Sequence, residues 1–149
     1  MASISIKWIR AIPAQGYIAV AVVGVTAYLT TLSADSVRDG VFTLDQARRG
    51  EALYPRTCPR CHGANLAGDG FETPPLAGSD FVRKWSGQTV ADLFQFVSEN
   101  MPGDQPGALE PQVYIDLIAY ILGYNGYPTG NAELFPDPEK LASIRIEPR

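Results

Sequence analysis

The sequence is poor in the side chains that bind soft metals and electrophiles. Its 149 residues include one histidine, two cysteines and two methionines. A zinc site closed by Cys and His alone needs four such ligands; Cys58, Cys61 and His62 make only three. Basic clusters are also missing. Twelve Lys and Arg stand against 16 Asp and Glu, for a net charge of -4. No run of Lys and Arg marks a phosphate-binding footprint, which argues against a nucleic-acid partner. Nor does any convincing period-two alternation indicate a strand. At 46% hydrophobic and 19% charged residues, the composition is ordinary for one small globular domain.

The three scarce ligands lie within five positions, in "TCPRCHGANLAG" at residues 57 to 68. A disulfide across two intervening residues would close a tight loop and stabilise a domain of this size little. A thioredoxin-like pair requires a βαβ setting, which the missing alternation denies. C-x-x-C-H is the attachment signature of c-type haem: Cys58 and Cys61 form thioethers to the porphyrin, and His62 places its imidazole on the iron. One motif implies one covalent haem c.

An iron with one histidine has a second axial position, and no second histidine exists. Met1 is the initiator, so Met101 is the remaining thioether, in the loop "SENMPGDQPGAL". The bland alternative is a buried methionine filling a gap; elimination and the Pro/Gly-rich loop favour ligation. A His62/Met101 pair raises the reduction potential and leaves no open site for a substrate.

The first 34 residues differ in character from the rest. Lys7 and Arg10 precede the apolar run "YIAVAVVGVTAYL", and small residues end at Ala34. Basic, apolar and small-residue regions in that order form a secretory signal. Counting from Ile12 to Leu32, the same segment approaches the roughly 20 residues of a membrane anchor; a buried soluble helix is the third reading. Signal and anchor both export residues 35–149. That part holds ten of the basic and all 16 of the acidic residues, a balance of -6.

Helices are expected around the motif. Thr43-x-x-Gln46 has the form of a capping box opening a helix with Leu44, Ala47, Gly50 and Tyr54 on one face. Thr89 caps a second, with Val90, Leu93, Phe94 and Val97 at helical spacing; Pro111 starts a third, striped by Val113, Leu117, Tyr120, Ile121 and Tyr124. These stripes are core, and their functional content is to build a pocket.

"CPRCHGANLAGDG", "PPLAGSDF", Trp85 and "SENMPGDQPGAL" followed by "VYIDLIAYIL" resemble, in order and spacing, a class I c-type cytochrome of the bacterial monohaem kind, over roughly residues 43–124. The resemblance implies an all-α fold, a small cytochrome c-like helical bundle around one covalent haem, preceded by the apolar N-terminal helix. It also implies a crossing of the first and last helices near Gly50. Among cofactor-binding residues it implies Pro74, Pro75 and Leu76, with the carbonyl of Pro74 or Pro75 accepting the His62 Nδ1 hydrogen. Trp85 would touch a haem propionate, although plain core filling accounts for it equally.

The expected organisation is a signal or anchor at 1–34, a cytochrome domain at 35–124 and an extension at 125–149. Leu134, Phe135, Leu141, Ile144 and Ile146 are too apolar for a freely solvated tail. The extension is therefore read as a strap along the domain with a short helix near Pro138 to Ser143, or as a docking arm. The function expected is single-electron transfer without catalysis, as a periplasmic carrier or a cytochrome subunit. Redox proteins would be the partners: a dehydrogenase, an oxidase or a membrane complex. A haem enzyme or gas sensor with an open sixth site is the alternative, should Met101 lie off the iron.

Overall fold

The computed structural model describes residues 35–148, and the N-terminal signal or anchor expected above lies outside them. Six α-helices follow in chain order: α1 (Leu44–Thr57), α2 (Pro59–His62), α3 (Gly78–Trp85), α4 (Val90–Asn100), α5 (Pro111–Tyr124) and α6 (Pro138–Ser143). Among the described residues no helix is long and apolar enough to cross a membrane. A parallel pair of two-residue strands, β1 (Asp35–Ser36) and β2 (Ile144–Arg145), joins the two ends of the described chain. The sequence reading anticipated no strand, because two residues cannot display a period. It also missed α3.

The caps depart from expectation in one instructive way. Thr89 forms a complete capping box, donor and acceptor reciprocated with Asp92. Thr43 caps α1 by accepting from the Gln46 backbone N–H at 3.0 Å, but the Gln46 side chain does not return the bond. It is fully buried and serves the C-terminal segment instead. Its amide donates to Leu134 O at 2.8 Å and to Asp116 Oδ1 at 3.1 Å, and its Oε1 accepts from Leu134 N at 2.8 Å. A buried amide must find partners, and Leu134 and Asp116 supply them for both its donors and its acceptor.

α1 and α5 form the central pair. A Cβ on Gly50 would come within 2.6 Å of the Asp116 carbonyl carbon and 2.7 Å of Tyr120 Cβ, so the two backbones meet where only glycine fits. Around the crossing Leu117, Ile121 and Tyr54 are buried. α5 departs from its predicted stripe in both directions: Ile115, Ile118 and Leu122 are also in the core, whereas Tyr124 is exposed. Leu44, expected on the buried face of α1, is 50% exposed. Beyond Asn125 the chain remains part of the same core: Tyr127, Leu134, Leu141, Ile144 and Ile146 are buried, whereas Phe135 is exposed.

A charged cluster fastens this segment beside the crossing. Arg49 bonds Asp116 through Nε at 2.9 Å and Glu133 through Nη2 at 2.8 Å. Burial disfavours the Asp116 carboxylate, but donors from Arg49, Gln112 and Gln46 outweigh it and hold the carboxyl below its usual range. A group with a depressed folded pKa contributes stability above its unfolded value and loses it as pH falls through the folded one.

Two outcomes are expected. Gly50→Ala should destabilise the haem-loaded protein by about 3 kcal/mol or more, read from denaturant midpoints, because the contact is with backbone and cannot yield; a loss below about 1 kcal/mol would contradict the crossing. Asp116→Asn should cost about 1.5–3 kcal/mol at neutral pH, with the gap to wild type narrowing below about pH 4. A gap constant across that range would remove the carboxylate from the ledger.

Candidate haem site

α1 delivers the chain directly into the motif, with the N–H of Cys58 bonding Tyr54 O at 3.0 Å. Pro59 then starts the single turn of α2, which ends at Gly63 with φ 72°. The turn leaves Cys58 half-buried, Cys61 exposed and His62 buried. Neither cysteine is in a disulfide. Burial pushes the Cys58 thiol up, partly offset by its contact with Thr57 Oγ1 at 3.2 Å.

His62 Nδ1 lies 2.9 Å from the carbonyl oxygen of Pro74. A carbonyl only accepts, so this nitrogen carries the ring hydrogen and Nε2 presents its lone pair. The hydrogen bond fixes the ring's orientation and makes it a better donor to a metal. Of the two prolines that the resemblance implied, Pro74 makes this contact.

The loop between His62 and α3 is held at several points. Leu76 N donates to Leu66 O at 2.8 Å, and Leu66 is fully buried at φ 58°, a costly conformation for a branched residue. The Asn125 amide donates to Leu76 O at 2.9 Å and accepts from Gly78 N at 2.9 Å. Pro75 and Leu76 are half-buried beside these contacts. Tyr54, whose phenol burial pushes its pKa up, donates to Gly63 O at 2.7 Å. Asn125 and Tyr54 were not foreseen in these roles. Their signal was chemical: a buried phenol or amide requires a partner.

Met101 is the C-terminal cap residue of α4 and is half-buried. Its carbonyl accepts from Tyr114 Oη at 2.7 Å, which ties the methionine loop to α5. Arg60, inside the cysteine motif, reaches Asp104 in that loop at 3.2 Å. The motif and the methionine loop are therefore adjacent, although an exposed pair of this kind stabilises little. Trp85 is buried, with its ring 5.6 Å from that of Phe96 and Lys84 Nζ 5.2 Å from its centroid.

The donor set fits covalent haem. It offers two unbridged thiols on one turn, an imidazole with Nδ1 occupied and Nε2 available, and half-buried apolar side chains including Leu53, Leu76, Phe94, Val97 and Val113 packed on the core's margin. Among the described residues no group of three or more His, Cys, Asp or Glu is arranged to hold a metal ion. A helical fold with this arrangement defines a c-type cytochrome domain. Residues 45–121, 77 of the 149, match the family model described as cytochrome C oxidase, cbb3-type, subunit III, and the chain belongs to that family. No curated protein and no solved structure matches it. The family binds haem c covalently and transfers electrons through its iron.

Replacing both Cys58 and Cys61 by alanine would remove the thiols available for covalent attachment of haem c. Folding free energies of a domain this size are only about 5–15 kcal/mol. The double variant is expected not to accumulate as folded protein; a stable, colourless, helical product would contradict the assignment.

Proposed function

We propose that the protein moves single electrons outside the cytoplasmic membrane, as a carrier or cytochrome subunit serving an oxidase or dehydrogenase complex. Its haem is held by Cys58 and Cys61 and ligated by His62 and Met101. The observation that carries the reading is the His62 Nδ1 contact with Pro74 O at 2.9 Å, next to two unbridged cysteines: it leaves Nε2 as the nitrogen available to a metal. Haem c supplies one-electron chemistry between its ferrous and ferric states.

The protein's own residues set the terms of that exchange. The Pro74 bond orients His62 and strengthens its donation to iron. Tyr114 holds the Met101 carbonyl, and Arg60 pairs with the Asp104 carboxylate of the same loop. A thioether donor raises the reduction potential and closes the sixth position to substrates, which is why electron transfer is favoured over catalysis. Export is supported by Lys7 and Arg10 ahead of the apolar run, and an oxidase partner by the family's description.

Met101→Ala tests the ligation. Haem should stay bound, because His62 and both thioethers are untouched. The potential should fall by an amount on the order of 0.1 V, within the ~0.8 V that axial ligands span, since a soft sulfur favours the ferrous state. The ferric variant should bind added imidazole or cyanide faster, as no internal bond has to break first. A potential and binding rate equal to wild type would reduce Met101 to packing and favour an open-site haem enzyme or sensor.

A further inference from the structure

A groove of about 300 Å³ runs between the end of α3 and the length of α4. It is lined by neither the cysteines nor His62 nor Met101. Trp85 and Phe96 form its aromatic part, Asp92 and Glu99 its acidic part. Phe96 is 39% exposed, an unusual position for a phenylalanine that packs edge-on against a tryptophan.

Lys84 shows what such a surface accepts. Its ammonium lies 4.5 Å from the Phe96 centroid and 5.2 Å from that of Trp85, so a cation of the protein itself already sits over both rings. The attraction comes from the negative faces of the rings and strengthens when water is excluded. Two carboxylates face the groove: hydrogen bonds from Thr89 hold Asp92 below its usual range, and Glu99 accepts from the Gln95 amide at 3.0 Å.

We infer that this groove docks a Lys- or Arg-bearing segment of a partner protein, whose cation takes the place of Lys84 on the Trp85 and Phe96 rings. Charge complementarity selects this occupant. Residues 35–149 carry ten basic and 16 acidic side chains, so a second copy would bring like charge, and an anionic lipid surface would be repelled by Asp92 and Glu99. Asn100 closes one end of the groove and Met101 follows it in the chain. A docked segment therefore lies against the helix that carries the methionine loop. That the partner is a redox protein rests on the electron-transfer reading; the affinity for a cationic segment does not.

The test titrates the ferrous, isotope-labelled holoprotein with hexa-arginine at low ionic strength, following resonances and affinity. Signals of Trp85 and Phe96 should move first. Phe96→Ala and Glu99→Gln should each weaken binding about fivefold, and Lys84→Gln should tighten it about threefold by freeing the rings. Charge-matched controls away from the groove, Glu72→Gln and Arg48→Gln, should change it less than about twofold. If Phe96→Ala fails to fold, the opposite signs of Glu99→Gln and Lys84→Gln still decide. Equal effects of groove and control variants would overturn the proposal in favour of diffuse attraction. Self-association centred on Phe96, or binding to phosphatidylcholine vesicles through it, would overturn it in favour of a second copy or a lipid. A Met101→Ala protein with unchanged potential would undo the ligation reading while leaving the peptide affinity intact, so the two failures are distinguishable.

Discussion

The close approach of α1 and α5 at Gly50 is the constraint from which most of this structure follows. Once the Gly50 Cα rests against the Asp116 and Tyr120 backbone region, the end of α1 is fixed, and with it the turn that carries Cys58, Cys61 and His62. The start of α5 is fixed as well, and Tyr114 then reaches the Met101 carbonyl. One contact without a side chain thus sets both the cysteine motif and the methionine loop proposed to face it. Because interiors pack at crystal-like density, an error of a fraction of an ångström here would reach the motif and the methionine loop together.

The polar network beside the crossing extends this control to the C-terminal segment. Gln46 gives its whole amide to Leu134 and Asp116, and Arg49 spans Asp116 and Glu133. Neither residue is spared for its own helix. The consequence is that Leu134, Leu141, Ile144 and Ile146 join the core, and the short parallel pair brings Ile144 and Arg145 beside Asp35 and Ser36. Exposed ion pairs usually contribute little; this one differs because Asp116 is 5% exposed and satisfied by three donor residues.

How much of this was legible depended on whether a signal was local. The motif, the Met101 loop, the start of α1 at Thr43 and the α6 segment each announce themselves within a few residues. The Gly50 crossing was only faintly legible from the residues, since a lone helical glycine is weak evidence by itself, and the family resemblance strengthened it. What could not be read was non-local. Gln46 matched a capping box in sequence, but its partner Leu134 lies 88 residues away. The strand pair is too short to have a period, and α3 lacks a side-chain cap, the usual mark of a helix start. Leu44 fell on the predicted apolar face and remains 50% exposed, because the first turn of a helix need not be covered by the element it packs against.

The two sides of the proposed haem site are held with unequal firmness, and this bears on what the protein can do. On the His62 side the chain is pinned by Pro74, Tyr54, Leu66 and Asn125, contacts that are buried or partly so. On the Met101 side the loop from Pro102 to Glu110 is mostly exposed, held by the Tyr114 bond and by the Arg60–Asp104 pair in water. Local openings draw on regions with few buried contacts, so the methionine side is the one that yields first. A ligand that must be kept through every turnover thus lies on the rigid side. Met101, the proposed second ligand, lies where the structure is easiest to perturb, at the end of the helix that borders the acidic, aromatic groove.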